Sequence, residues 1–293
     1  MLIFSREAKL LQSVKTLAVA AGFLAICAPA IALEVKLQPE NPRLGDTISV
    51  TIETENSEGL PKVTDKQKNY PVFPIPGQKN RYRALIPTSP LNRSGKIQIQ
   101  VKDTEASKNI PVWLRDRTFP VQRITITGKA SAGATKYELN KVRAFKKIVS
   151  PEKYWSGKFF RPNPSRVTTV FGVRRYYNGT FAKNYYHGGV DYAGNYGSPV
   201  IAPAAGKVVL VGKEANGFRV HGNTIGIDHG QGVLSIFLHL SSIDVREGEI
   251  IKAGQKIGAV GSTGASTGPH LHWGLFVHGV AVDPVPWRFQ GIE

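Results

Sequence analysis

The sequence predicts a mainly β protein, with an N-terminal immunoglobulin-like β-sandwich followed by a second, antiparallel β-sheet domain. Three observations predict this fold class. The 293 residues include 30 glycines and 19 prolines, which interrupt regular structure often. Short runs of apolar residues carry the period of strands, and only one stretch has a helical period. At roughly 150 residues per domain, the length allows about two domains.

The first 32 residues are typical of an export signal. Three basic side chains precede the apolar run 17–28, and Ala-Ile-Ala at 30–32 offers a small-residue cleavage site. The run is too short to span a bilayer comfortably, so we expect no stable transmembrane segment after cleavage. The alternatives to a cleaved signal are an uncleaved anchor and lipidation of Cys27. Lipidation requires a small residue before the cysteine, and Ile26 occupies that position. We therefore expect an exported protein in the periplasm, in the cell envelope or outside the cell.

The composition restricts the class of protein and its partners. Charged residues make up 20% and hydrophobic residues 41%, which excludes wholesale disorder and a polytopic membrane protein. The formal net charge of +17 favours anionic partners. Export argues against nucleic acid, and the sequence has no basic-plus-aromatic motif of nucleic-acid binders. We expect an anionic cell-wall or envelope surface as the partner and no nucleic acid.

Residues 33–120 are assigned to the immunoglobulin-like domain. Apolar residues alternate with polar ones in two runs, Ile48, Val50 and Ile52, and Ile97, Ile99 and Val101. This period of two is that of half-buried antiparallel strands. The segment contains no histidine and no catalytic constellation, so we interpret it as a structural or wall-contacting module.

Residues 121–159 are assigned to a linker with one amphipathic helix. Thr135 followed by Glu138 fits a capping box at its start. Every third residue is then apolar, at Leu139, Val142, Phe145 and Ile148. The helix ends before Pro151. A basic amphipathic helix can lie on a membrane, but one this short more often packs on a neighbouring domain.

Residues 160–293 are assigned to the second β domain. We expect strands at 200–202, 207–211, 224–227, 233–238, 256–260 and 271–277, separated by glycine-rich turns, and no helix. All seven histidines lie at position 187 or later. His187 and Asp191 stand four apart, and His270 and His272 point to one face of a strand. Two nitrogens and one oxygen around an open fourth position suit a catalytic zinc ion.

Residues 160–287 resemble the lysostaphin/LytM-type zinc metallopeptidases, which are peptidoglycan endopeptidases. The resemblance rests on five segments that occur in the family's order, FGVRR at 171–175, HGGVDYAG at 187–194, GSPVIAPAAGKVV at 197–209, FLHL at 237–240 and GQKIGAVGSTGASTGPHLHWG at 254–274. The resemblance implies one Zn²⁺ ion held by His187, Asp191 and His272 in a groove of the sheet. It implies that His239 and His270 are the catalytic histidines and that peptidoglycan is the substrate.

The physical chemistry agrees with these roles. Zinc lowers the pKa of a bound water from ~15.7 toward ~7. An HExxH motif is absent, and no glutamate stands within four residues of the five assigned positions. Histidine, with an ordinary pKa of about 6.5, is therefore the remaining candidate base. A closed structural site, with His239 or His270 as the fourth ligand, is the alternative.

Several neighbouring residues have less specific interpretations. His221, His229 and His278 are expected at the surface or in turns, Asp228 is expected to shape a turn, and the glycine-rich segment 261–268 is expected to set His270 in place. Arg174 and Arg175 either hold a substrate carboxylate or the wall polymer, or form a solvated strand end. Tyr176, Tyr177, Tyr185 and Tyr186 compete for the family's position beside the oxyanion.

Three functions remain open on this evidence. An exported zinc endopeptidase of peptidoglycan is favoured because all three ligands and both histidines are present. A non-catalytic module that binds peptidoglycan or activates another hydrolase would keep the fold without hydrolysis. A zinc peptidase of ordinary proteins would share every residue of the site. Residues 33–160 could target the enzyme, regulate it or cover its groove.

Overall fold

The computed structural model describes residues 33–55, 59–66, 68–126 and 133–292. Most of their ordered backbone is strand in antiparallel sheets, which confirms the mainly β prediction. The predicted signal peptide 1–32, with Cys27, lies outside the described residues. Within those ranges, none of the helices has the length and apolar character needed to cross a membrane.

The N-terminal part consists of two four-stranded antiparallel sheets. One has the order β1-β2-β6-β5 and the other the order β4-β3-β7-β8. The strands are β1 (Glu34–Gln38), β2 (Thr47–Glu53), β3 (Lys62–Asp65), β4 (Lys68–Tyr70), β5 (Val72–Pro74), β6 (Arg81–Pro87), β7 (Gly95–Lys102) and β8 (Ser107–Leu114). The predicted alternation is observed, since Val50 and Ile52 of one sheet share a buried core with Ile99 and Val101 of the other. An immunoglobulin-like connectivity stays a prediction.

An eight-stranded antiparallel sheet forms the centre of the C-terminal part. Its path is β10-β13-β21-β17-β16-β15-β19, and β22 pairs with β21. The strands are β10 (Val167–Thr169), β13 (Gly189–Tyr192), β15 (Gly206–Gly212), β16 (Asn223–Gly230), β17 (Val233–Leu240), β19 (Ile250–Ile251), β21 (Leu271–Val277) and β22 (Val280–Val282). The sequence-predicted strands in this part are confirmed.

Two three-stranded sheets flank the central sheet. One has the order β12-β11-β9, with β9 (Val121–Ile124), β11 (Arg174–Tyr177) and β12 (Thr180–Phe181). The other has the order β14-β20-β18, with β14 (Pro199–Ile201), β18 (Ser242–Ile243) and β20 (Lys256–Ala259). β9 and β11 pair in parallel, whereas the pairs of the central sheet are antiparallel, as predicted for the second domain. The long connection between β9 and β11 allows this direction, because parallel neighbours need a crossover rather than a tight turn.

The predicted linker helix is α1 (Lys136–Lys146), and its capping box is present at Thr135 and Glu138. Val142 and Phe145 of α1 are buried with Leu210 and Phe276 of the central sheet. The packing prediction is therefore confirmed. The expectation of no helix beyond residue 160 is wrong, because α2 (Val285–Phe289) forms there. Its five residues are too few to show a helical period in the sequence.

The N-terminal sheets pack against the C-terminal part. Leu85 of β6 belongs to the same buried cluster as Trp155 and Trp287. The guanidinium of Arg83, which is 1% exposed, donates to Oε1 of Gln231 at 2.6 Å. These contacts join residues 33–292 into one compact unit. The domain boundaries at 33–120, 121–159 and 160–293 stay predictions.

Candidate active site

The three predicted metal ligands lie together on strands β13 and β21. Asp191 and His272 are direct cross-strand partners, and His187 stands two residues before β13. His187 Nε2 lies 3.0 Å from Asp191 Oδ1 and 3.0 Å from His272 Nδ1, and Asp191 Oδ1 lies 2.9 Å from His272 Nδ1. Among the described residues, this is the cluster of histidine and acidic side chains that could hold a metal ion.

The chemistry of these three atoms fits a divalent cation. His187 Nδ1 lies 2.9 Å from the carbonyl oxygen of Val170, which only accepts, so Nδ1 carries the proton and Nε2 a lone pair. That lone pair faces the Asp191 carboxylate, so two acceptors point toward one region. Tetrahedral zinc with ligands at about 2.0–2.1 Å would space its ligand atoms at about 3.3 Å. The observed triangle is close to that size.

The protonation states also suit metal ligands. Burial by itself would raise the pKa of Asp191, but the neighbouring imidazoles of His187 and His272 outweigh it and hold the pKa below its usual range. Burial lowers the pKa of His272 to about 4 against the opposing effect of Asp191. Asp191 is therefore ionised and His272 neutral at pH 7, which are the forms that bind metals.

A close approach of two strands brings Asp191 beside His272. In β13, Gly189 pairs with Gly274 of β21. A Cβ atom at Gly189 would lie 2.3 Å from the carbonyl oxygen of Trp273, which is backbone and cannot move aside cheaply. The glycine in the HGGVD segment is therefore required by the strand spacing that positions the cluster.

His239 occupies a β-bulge near the end of β17. One residue of β16, Thr224 between Asn223 and Ile225, opposes the two residues of β17 between Phe237 and Leu240, and His239 has a φ of 65°. Regular alternation along β17 would put the His239 side chain on the same buried face of the strand as Phe237. The bulge re-aims the side chain, as bulges beside active sites commonly do. His239 also directly follows Leu238, the cross-strand partner of His272.

His239 and His270 form a second pair of imidazoles. Their ring centroids lie 4.7 Å apart. Nδ1 of His239 lies 2.8 Å from the carbonyl oxygen of Thr263, and Nδ1 of His270 lies 2.8 Å from that of Gly268. Each Nδ1 therefore donates, which leaves each Nε2 as an acceptor. Burial, and next the neighbouring His270, lower the pKa of His239 to about 3, so its ring is neutral at pH 7.

The other three histidines are not part of this cluster. His229 is fully buried at the end of β16, so its expected surface position is wrong. Its Nδ1 donates to Ala205 O and its Nε2 accepts from Ser235 Oγ, both at 2.8 Å, which makes the ring a satisfied core group. His221 and His278 lie in turns, as predicted. Asp228 shapes its turn as predicted, accepting from the Gly230 N–H at 2.8 Å.

The two arginines of β11 have different surroundings. Arg174 donates to the carbonyl oxygens of Lys183 and Tyr185. Arg175 donates only to neutral side chains, the amide of Gln122 at 3.1 Å and the hydroxyls of Tyr177 and Tyr185 at 3.3 and 3.2 Å. Its charge also acts on Asp191. Arg175 has no carboxylate partner among the described residues.

The four candidate tyrosines also differ in their contacts. The hydroxyl of Tyr186 donates to Ala281 O at 2.9 Å, and the ring of Tyr176 packs on Phe181. The hydroxyls of Tyr177 and Tyr185 both meet Arg175. Tyr177 and Tyr185 are therefore the two of the four tyrosines whose hydroxyls contact Arg175.

Sequence reasoning missed the groups that orient the histidines. The carbonyl oxygens of Val170, Thr263 and Gly268 hold three Nδ1 atoms. Every residue type has a carbonyl, so no residue-type signal could have identified these positions. The glycine-rich segment 261–268 was the one available signal, since Ser266 Oγ also lies 3.2 Å from His270 Nδ1.

Comparison with known proteins identifies the C-terminal part. The model of "Peptidase family M23" matches residues 185–284. An uncharacterized metalloprotease of Haemophilus influenzae is 40% identical over 105 residues, 36% of this chain and 22% of that protein. The DD-carboxypeptidase/endopeptidase Mpg of Neisseria meningitidis is 42% identical over 99 residues, 34% of this chain and 22% of that protein. The chain thus spans about a fifth of the length of these curated relatives.

Solved structures extend the similarity. The catalytic domain of lysostaphin from Staphylococcus simulans is 36% identical, covering 45% of this chain and 90% of that chain, with a TM-score of 0.32. A crystal structure of a Pseudomonas aeruginosa protein assigned to peptidase M23 has a TM-score of 0.62 at 26% identity. It covers 87% of this chain and 97% of that chain, so the shared fold includes the N-terminal sheets.

Proposed function

This chain belongs to peptidase family M23, and from that premise we propose that it is an exported zinc-dependent endopeptidase that hydrolyses peptide cross-links or stem peptides of bacterial peptidoglycan. One observation carries the proposal. A cluster of three candidate ligands, His187, Asp191 and His272, lies beside two imidazoles, those of His239 and His270. Three protein ligands with a fourth position left open are typical of catalytic rather than structural zinc.

The residues of the site divide into binding and proton transfer. His187, Asp191 and His272 would hold one zinc ion, which supplies a Lewis acid and activates water near neutral pH when bound. His239 and His270 present Nε2 acceptors, because each Nδ1 is occupied by a carbonyl oxygen. Either can accept a proton from the attacking water and return it to the leaving amine. The low pKa of His239 makes its protonated ring a strong acid, which favours transfer of the proton to the leaving amine.

The proposed location and substrate follow from charge and from the relatives. The relatives include lysostaphin and peptidoglycan DD-endopeptidases of Vibrio cholerae. Removal of residues 1–32, with three basic residues and one acidic residue, changes the net charge from +17 to +15, which would hold the protein on an anionic wall or envelope by a contact that weakens with salt. The segment 1–32 would direct export.

The test is release of new amino groups from purified peptidoglycan by residues 33–293, with and without a zinc chelator. We expect release that the chelator abolishes and added zinc restores. A wild-type protein that binds zinc but releases no amines, from peptidoglycan or from a panel of Gly-rich proteins, would support the non-catalytic module instead. Release from the proteins alone would support an ordinary protein peptidase.

A further inference from the structure

Glu138 of the linker helix lies far from the predicted ligands in sequence and outside the matched residues 185–284. Its side chain is fully buried. Besides closing the capping box, the carboxylate reaches the loop 219–222, which immediately precedes β16. Oε2 accepts from the Arg219 N–H at 3.1 Å, and Oε1 accepts from the Val220 N–H at 3.0 Å.

His221 completes this set of donors. Its backbone N–H donates to Glu138 Oε1 at 2.6 Å, and its ring Nδ1 lies 2.5 Å from the same oxygen. Burial alone would raise the pKa of Glu138, but these hydrogen bonds outweigh it and lower the pKa to about 2. The ionised carboxylate therefore fixes three consecutive backbone N–H groups of the loop.

The loop in turn holds His239 through the backbone. The bulge in β17 removes the His239 N–H from the regular ladder, and this N–H donates to the carbonyl oxygen of His221 at 3.1 Å. The same loop supports the other hydrogen bond of His239. Val220 O accepts from the Ala265 N–H at 2.9 Å, which ties down the segment containing Thr263, the partner of His239 Nδ1.

We propose that Glu138 is a positioning residue for His239. Its carboxylate orders the loop 219–222, and the loop fixes both the bulged backbone and the ring orientation of His239. The expected effect on kcat rests on the proposed function. It means that the peptidase site depends on a side chain supplied by the linker helix.

The test compares three variants on soluble cross-linked peptidoglycan fragments. Glu138→Gln keeps the shape of the side chain and a residue type that capping boxes use. It replaces the carboxylate, which accepts from the loop N–H groups, with an amide that is a weaker acceptor. We therefore expect kcat to fall at least tenfold, with KM and zinc content near wild type. Thr135→Ala is the matched control, because it removes the helix cap and leaves the loop contacts of Glu138 in place. His221→Ala keeps the backbone N–H and carbonyl of residue 221, so its kcat should fall less than that of Glu138→Gln.

A spectroscopic readout separates positioning from general loss of structure. In the wild type, ¹⁵N NMR should show His239 with a protonated Nδ1 and an unprotonated Nε2. Glu138→Gln should give a tautomer mixture at His239 and leave the ring of His229 unchanged. If Glu138→Gln does not fold, Glu138→Asp is measured in its place, with a smaller change expected in the same two quantities.

Two results would overturn the proposal. One is an unchanged His239 tautomer in a folded Glu138 variant. The other is a fall in kcat no larger than that of Thr135→Ala. Absence of hydrolysis by the wild type would refute the proposed function alone, because the His239 signal still tests the positioning role.

Discussion

Backbone carbonyl groups set the tautomer of three histidines at the site. In His187, His239 and His270, Nδ1 lies 2.8 to 2.9 Å from a carbonyl oxygen, so the proton is on Nδ1 and the lone pair on Nε2. Under the proposed function, the same orientation would serve metal binding at His187 and proton acceptance at the other two. The proposed ligand and the proposed bases then differ in their surroundings and not in their tautomer.

This division predicts two classes of variant. His187→Ala should lose both zinc and hydrolysis. His239→Ala and His270→Ala should retain about one zinc per chain and lose about 10²–10⁴-fold in kcat, the usual contribution of acid–base catalysis. Zinc content by mass spectrometry and amine release measure the two effects. His278→Asn is the matched control, because Asn tolerates the φ of 47° found at this half-buried turn. Loss of zinc from His239→Ala would instead indicate a closed four-ligand site.

The buried His229 predicts a pH dependence of stability. Burial lowers its pKa to about 4, whereas an unfolded histidine titrates at about 6.5. Between these values the unfolded chain binds more protons than the folded one, so the free energy of unfolding falls as the pH drops from 6.5 toward 4. This group contributes about 3 kcal/mol over that window.

The measurement is urea unfolding of the metal-free protein at pH 7 and pH 5, for the wild type and for His229→Gln. The variant should be less stable at pH 7, because Ala205 O and Ser235 Oγ lose their partner, and it should lose less stability on acidification. Equal losses in the two proteins would show that His229 is not the titrating group.

At the scale of elements, the sequence predicted regular strands and helices better than the bulge in β17 and the parallel pairing of β9 with β11. Short apolar runs identified β17 and β21 but not β13, and the spacing of Thr135 and Glu138 identified the cap of α1. The bulge at His239 has no signature of its own in the sequence, because it arises from an extra residue in one of two distant strands. The parallel pairing of β9 with β11 likewise depends on where the intervening chain packs.

Gly189 gives a prediction about β13, the strand that carries Asp191. Gly189→Ala would force a Cβ against the carbonyl of Trp273 and push β13 away from β21. We expect a loss of about 1–3 kcal/mol of stability and a weaker zinc affinity, since Asp191 is separated from His272. Gly268→Ala is the control for both quantities, because its Cβ would meet nothing within 4 Å. Equal zinc affinity in the two variants would contradict the argument.

At the scale of the molecule, the residues before the matched segment 185–284 belong to the same structural unit as that segment. Val142 and Phe145 of α1 cover one face of the central sheet, and Trp155 packs against Trp287. Trp155 also donates its indole N–H to Ile292 O at 2.9 Å. The segment that follows β8 adds the Arg117–Asp283 ion pair at 2.8 Å. None of these contacts is made by residues 185–284 alone.

Truncation tests this dependence and the role of residues 33–160 together. A fragment of residues 160–293 lacks α1 and Trp155, and each large buried side chain contributes roughly 1.5–3 kcal/mol. The stabilisation lost with Val142, Phe145 and Trp155 approaches the total free energy of unfolding of a domain, about 5–15 kcal/mol. We therefore expect the fragment to be largely unfolded and inactive. A fragment of residues 133–293 keeps α1 with Glu138 and should retain zinc and part of the activity. Circular dichroism melting and amine release compare both with residues 33–293. A stable 160–293 fragment more active than residues 33–293 would show instead that the N-terminal part covers the groove.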